Sequence, residues 1–195
     1  MNLPNKLTLL RIILVPFFII AMLVQFPFHY LVAGCIFGIA SVTDTLDGKI
    51  ARSRNLVTDF GKFADPLADK ILVLTALVCF LQVGLLGSFG AIPVIIVLFR
   101  EFAVSGIRLV AASSGKVVAA NIWGKIKTVS QMVGISVIFA MQVVLEILGA
   151  MKVSTGFVSE VFYYIGNGLI WLSTVFTLIS GIIYLKDNIS FLKDN

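Results

Sequence analysis

The chain has 195 residues, of which 59% are hydrophobic and only 13% charged, and its mean hydropathy is +1.05. A soluble domain carries roughly 25% charged residues, so this composition excludes a water-facing globular body and points to an integral membrane protein. The net charge of +5 then becomes a question of which membrane face carries it.

Six apolar runs follow one another along the chain, at 7–25, 30–48, 67–86, 89–112, 129–149 and 160–185. Each is near the twenty or so residues that cross a bilayer core as a helix. The first run could pass for a signal peptide, but no small-x-small cleavage site follows it. It is also longer than the roughly 7–15 residues of a signal h-region, so it is expected to be a retained first span. Run two leads into "SVTDTLDGKIARSRNLVTDFGKFADPLADK", residues 41–70, which holds five of the ten acidic residues. Run four contains Arg100, Glu101 and Arg108, and Lys125 and Lys127 precede run five. Cys35 and Cys79 both fall in apolar runs, where two thiols are expected to be small core residues and not a disulfide framework. His29 stands alone near a loop and is read the same way.

Six spans put both termini on one side. In that layout Lys6, Arg11, Lys49, Arg52, Arg54, Lys62, Lys70, Arg100, Arg108, Lys116, Lys125, Lys127, Lys186 and Lys193 fall at one face, and only Lys152 at the other. The positive-inside rule makes the first face cytoplasmic. The expected architecture is an all-α integral membrane protein of six transmembrane helices, one domain over 1–195. Both termini and the active site lie at the cytoplasmic end, facing anionic lipids and phosphorylated metabolites. A basic face also suits nucleic acid, but no polar domain with aromatic stacking platforms accompanies it, so no nucleic-acid partner is expected.

Asp44 and Asp47 are three apart, and Asp65 and Asp69 four apart, so on helices each pair shares a face. The link between the pairs is short, which makes their helices antiparallel neighbours with carboxylates facing across one gap. Like charges that close force protonation or demand a cation. Hard divalent cations with oxygen ligands answer the demand, and two of them suit four aspartates. A two-metal pair is a known device for displacement at phosphorus. Gly48, Ala51 and Gly61 continue the stripes with small residues, which would admit a bulky group or serve as ordinary helix packing. Asp59 is off both stripes and reads as a solvated residue or a cap. Arg100, Val104 and Arg108 form a stripe spaced by four, and with Lys125 and Lys127 they suit a second anion, a phosphate. The plainer reading of these cations, and of Arg52, is positive-inside decoration. Glu101 is expected to be an internal partner for one of them.

The acidic stretch fills every fixed position of D-x2-D-G-x2-A-R-x8-G-x3-D-x3-D, with Asp44, Asp47, Gly48, Ala51, Arg52, Gly61, Asp65 and Asp69. It resembles the signature of the CDP-alcohol phosphotransferases. "NLPNKLTLLR" and "FREFAVSGIRLVAASSGKVVAANIWGKIKT" extend the likeness over nearly the whole chain, toward members whose acceptor is glycerol 3-phosphate. The resemblance implies transfer of the phosphatidyl group of CDP-diacylglycerol to an alcohol with release of CMP. It implies two divalent cations, Mg2+ or Mn2+, held by Asp44, Asp47, Asp65 and Asp69, and it makes Asp69 the base, which spacing alone leaves open. It further implies nucleotide contacts at Asn5, Thr8, Gly48, Ala51, Arg52, Thr58 and Gly61, and a homodimer. The expected place is the cell membrane, and the second anion expected from the spacing of Arg100, Arg108, Lys125 and Lys127 is then the acceptor's phosphate. Two alternatives remain at this point: another acceptor, such as inositol phosphate, serine or a phospholipid, and a cation transporter using the carboxylates as its path.

Overall fold

The computed structural model describes residues 3–53, 59–113 and 121–188, and side chains at 3–4, 44–53, 59–66, 69 and 113 lie outside what it describes. Among the described residues there are six helices and no strands. They are α1 (Leu3–Leu23), α2 (His29–Ser53), α3 (Asp59–Gln82), α4 (Ala91–Ser113), α5 (Ile122–Ala150) and α6 (Gly156–Asn188). One helix corresponds to each apolar run of the sequence. Asn5–Leu23, Ile122–Ala150 and Gly156–Asn188 are each long and apolar enough to cross a membrane. In α2 and α3 the apolar stretches among the described side chains are His29–Thr43 and Lys70–Gln82, and the signature segments lie beyond them. Within α4 the apolar run is broken by Arg100, Glu101 and Arg108.

Several helix ends differ from the ends of the apolar stretches that announce them. α5 starts at Ile122, seven residues before the expected 129, because the Asn121 side chain accepts from Trp123 N at 3.2 Å and caps the helix. Lys125 and Lys127 therefore lie inside the first two turns of α5 and not ahead of it. α3 stops at Gln82, short of 86, because Gly84 takes φ +79. Leu85 N donates to Phe80 O (2.9 Å) and Gly84 N to Leu81 O (3.2 Å), a Schellman closure of the helix end. α5 closes in the same way, with Lys152 in the left-handed position (φ 57), Val153 N donating to Leu148 O and Lys152 N to Gly149 O.

Three phenylalanines from three other helices meet around Phe139 of α5. Its ring centroid lies 5.9 Å from that of Phe18 (α1), 5.8 Å from Phe37 (α2) and 5.1 Å from Phe80 (α3). Edge-on and tilted contacts of this kind add to plain area burial. α5 and α6 pair closely; a Cβ on Gly166 would stand 3.1 Å from Ile138 Cγ1. At the same end the α3–α4 turn rests on α6, where Asn167 Nδ2 donates to Leu85 O at 3.0 Å. Glu146 of α5 accepts from Tyr30 N at 3.2 Å, placing an acid at the start of α2, and His29 Nε2 stands 3.8 Å from it. His29 is thus a partnered structural residue, as expected. Both cysteines are free. Cys79 is buried, whereas Cys35 is exposed on α2 and is not the core residue the sequence led us to expect.

Gly87 gives a sharp test of the turn. Its φ is +66, and a Cβ there would fall 1.9 Å from Tyr163 Oη. Gly87→Ala is expected to lower unfolding stability by about 1–2 kcal/mol from the left-handed backbone alone, plus the cost of displacing Tyr163. Adding Tyr163→Phe should recover only the second part. Thermal unfolding of the detergent-solubilised protein measures both.

Candidate functional site

The charged end of the bundle is built by α3, α4, α5 and α6. Arg100, Val104 and Arg108 recur every four residues and do share one face of α4, as the spacing predicted. All three line a cleft of about 460 Å3 with Lys70, Glu101, Asn121, Gly124, Lys125, Thr128 and Tyr184. Arg108 extends along the buried Tyr184 of α6. Its Nε donates to Tyr184 Oη at 3.3 Å, and its guanidinium carbon lies 5.7 Å from the ring centroid. That combines a hydrogen bond with cation–π contact and fixes the direction of the side chain.

Glu101 sits at the base of the cleft, 8% exposed. Its Oε1 accepts from Lys127 Nζ at 2.6 Å and from Arg100 Nη1 at 3.0 Å. Arg100 Nη2 also donates to Ser180 Oγ on α6 at 2.6 Å. Lys127 is only 4% exposed. It lines a separate cavity of about 30 Å3 with Lys70, Val73, Leu74, Val97, Glu101, Thr128 and Gln131. One carboxylate therefore holds two cations, as buried charges require. The expected internal pair is present, and it engages Lys127 as well as Arg100. Of the four basic residues proposed from sequence for the acceptor, Arg108 and Lys125 are exposed and line the cleft, Arg100 is half-buried at its wall, and Lys127 does not line it but is buried beneath, bound to Glu101.

Sequence reasoning missed two residues of this cleft, Lys70 and Tyr184, and also Ser105, which does not line the cleft but meets Lys70 behind it. Lys70 Nζ donates to Ser105 Oγ, whose own hydroxyl donates to Glu101 O at 2.6 Å. Lys70 could have been noticed, since it directly follows Asp69. Tyr184 is 76 residues from Arg108, and nothing local announces it.

Asp44, Asp47, Gly48, Ala51 and Arg52 fall on α2, and Gly61, Asp65 and Asp69 on α3, so both signature segments are helical. Their side chains, and Thr58 entirely, lie outside the described residues. Among the described residues no group of three metal-ligating side chains is found. As a donor set, four carboxylates offer the hard oxygens that Mg2+ or Mn2+ takes. Asn5 (7% exposed) and Thr8 (fully buried) lie on the inward face of α1, with Arg11 one turn further along. α1 packs chiefly on α2 and α3, the two helices that carry the signature.

A sequence model of the CDP-alcohol phosphatidyltransferase family matches residues 1–179. The chain belongs to this family. It is also similar to a Bacillus subtilis protein named CDP-diacylglycerol–glycerol-3-phosphate 3-phosphatidyltransferase, with 41% identity covering 98% of this chain and 97% of that one. A Rickettsia bellii protein of the same name is 36% identical, over 95% of this chain and 94% of its own. One from Haemophilus influenzae is 41% identical over 69% and 73%. The expectation of a CDP-alcohol phosphotransferase is thus met, and the protein is a transferase of that family. The cleft beside the signature helix α3 is lined by four cations and one anion, so its charge is net positive.

Proposed function

We propose that this phosphatidyltransferase moves the phosphatidyl group of CDP-diacylglycerol to sn-glycerol 3-phosphate, giving phosphatidylglycerol phosphate and CMP. The observation that carries the reading is the cleft, where Arg108 and Lys125 have no carboxylate partner among the described residues. A phosphorylated acceptor supplies the missing charge, and a neutral one such as serine does not. The names of the similar bacterial proteins support the same acceptor.

In this reading Asp44, Asp47, Asp65 and Asp69 hold two divalent cations, Mg2+ or Mn2+, which when bound neutralise the diphosphate and polarise its phosphorus. Asp69 accepts the proton of the attacking hydroxyl. Asn5, Thr8, Gly48, Ala51, Arg52, Thr58 and Gly61 contact the cytidine diphosphate, with Arg52 offering its planar fork to phosphate oxygens. Arg108 and Lys125 orient the acceptor so that its hydroxyl, not its phosphate, meets the diphosphate. Arg100 and Lys127 act at one remove, held by Glu101 in the cleft wall.

The topology belongs to the same proposal: six spans in one domain, both termini cytoplasmic, and the site at the cytoplasmic face of the cell membrane. The separation of Lys152 from the other basic residues supports it. Lys152 follows the end of α5 and Lys125 sits in its first turn, roughly 40 Å apart at 1.5 Å per residue. A homodimer is also proposed, on the family resemblance.

CMP release from CDP-diacylglycerol, measured with glycerol 3-phosphate, inositol phosphate, serine and a phospholipid in turn, tests the reading. Preference for any acceptor other than glycerol 3-phosphate would overturn it. Arg108→Ala and Lys125→Ala are each expected to raise the KM for glycerol 3-phosphate. A charge-assisted bond is worth roughly 1.5–3 kcal/mol, so the rise should be about ten- to a hundredfold. The KM for CDP-diacylglycerol should hold steady.

A further inference from the structure

We infer that Lys70 is a third ligand of the acceptor's phosphate, completing a clamp with Arg108 and Lys125. The inference rests on the acceptor reading above and extends it to a residue outside the family signature. Lys70 is half-buried on α3 at the wall of the 460 Å3 cleft. An ammonium group carries three N–H donors. The described contact that Lys70 makes is with the neutral hydroxyl of Ser105. Ser105 has already given its own hydrogen to Glu101 O, at 2.6 Å, so it meets Lys70 with a lone pair and no charge. The nearby carboxylate, Glu101, is taken up by Lys127 and Arg100. With one neutral acceptor among the described residues, this partly desolvated ammonium has two N–H donors and its charge to offer an anion in the cleft.

Where that anion binds follows from the fold. Lys70, Arg108 and Lys125 come from α3, α4 and α5 and line the same cleft. Three cations on three helices fix a phosphate in position, where cations on one helix would only attract it. Lys70 is also one residue from Asp69, and neighbouring Cα atoms are about 3.8 Å apart. Of the three cations it alone stands beside the signature. A phosphate touching Lys70 therefore leaves a short carbon chain between the clamp and the diphosphate. The ligand class is a small phosphomonoester dianion with a free hydroxyl a few bonds from its phosphate. Lys70 is a specificity determinant for that spacing as well as for charge.

The test uses the full-length enzyme in detergent–lipid micelles, with Lys70→Met, Lys70→Arg and Ser105→Ala. Lys70→Met is expected to raise the KM for glycerol 3-phosphate about tenfold or more, leaving the KM for CDP-diacylglycerol within a factor of about two. Lys70→Arg should restore much of the loss. Ser105→Ala should leave the acceptor KM near that of the wild type, which separates phosphate binding from a tie between α3 and α4. In a second arm, inorganic phosphate alone should raise the thermal midpoint of the wild type, and Lys70→Met should lose that rise. An unchanged acceptor KM, a phosphate-induced rise that survives in Lys70→Met, or Ser105→Ala reproducing the Lys70→Met effect would each overturn the inference. If the wild type prefers a non-phosphorylated acceptor, the acceptor reading fails, and the phosphate arm still decides Lys70. Should Lys70→Met not yield folded protein, Lys70→Gln takes its place in both arms.

Discussion

Replacing any one of Asp44, Asp47, Asp65 and Asp69 by Asn is expected to abolish turnover while leaving a folded, membrane-inserted protein. Asn keeps the shape of the side chain and removes the charge. If the four carboxylates face one gap as proposed, they repel one another without metal, so losing one charge is expected to leave the fold intact. On the two-metal proposal, what is lost is a ligand of the cation that would oppose the diphosphate's charge. Chelation of the wild type should have the same effect, and added Mg2+ or Mn2+ should reverse it; full activity in chelator would sink the two-metal reading. Asp69→Asn should differ from the others in kind. A proton acceptor matters in the transition state and little in the ground state, so kcat should fall within the range of about 10²–10⁴-fold usual for general-base catalysis. Binding of CDP-diacylglycerol should fall by less. Asp47→Asn should lose both. If Asp69→Asn keeps more than about a tenth of the wild-type rate, Asp69 is not the base.

Glu101→Ala is expected to be the most destabilising single change at the charged end. Its carboxylate is the shared partner of Lys127, at 2.6 Å, and Arg100, at 3.0 Å, and Lys127 is only 4% exposed. Removing one partner of a buried pair leaves an uncompensated charge and costs about 3–5 kcal/mol. The acceptor KM should rise as well, since the released Lys127 and Arg100 no longer hold the cleft wall. The companion Glu101→Leu with Lys127→Met removes both charges together and should recover much of the stability, because an apolar pair of similar volume is often neutral relative to an ion pair. Unfolding of the three proteins under one detergent condition measures this. A loss below about 1 kcal/mol in Glu101→Ala, the size of an exposed pair, would mean that water reaches the pair and screens it.

Most of the helical architecture could be read from hydropathy because a span must be apolar for about twenty residues, whatever its neighbours do. Helix ends could not, since they depend on polar local chemistry. The Asn121 cap and the left-handed Gly84 each move a boundary by several residues without changing the apolar run. The acidic signature was legible because its spacing is itself helical. The basic cleft was legible only in part. Arg100 and Arg108 were grouped correctly by their period of four, within one helix. Lys125 and Lys127 were assigned a shared role because they looked like residues ahead of a helix. Inside a helix, two positions are roughly 200° apart, which sends Lys125 to the cleft and Lys127 to Glu101. Tyr184 and Ser105 enter through contacts between helices, and a single sequence carries no sign of those.

The ring of phenylalanines about Phe139 has a consequence for how the molecule breathes. Among the described residues the large apolar core gathers around that ring, in the half of the bundle away from the cleft, whereas the cleft end has a small cluster of Val104, Ile107 and Tyr184. Amide exchange follows buried apolar contact, so hydrogens near Phe18, Phe37, Phe80 and Phe139 should be among the last to trade with deuterium. Those near Arg108 and Lys125 should trade early. The same six helices would then be clamped at one end and loose at the other, like tines fixed in a handle. Motion that admits a lipid headgroup or releases a nucleotide can be confined to the tips, and the grip around Phe139 need not open for either.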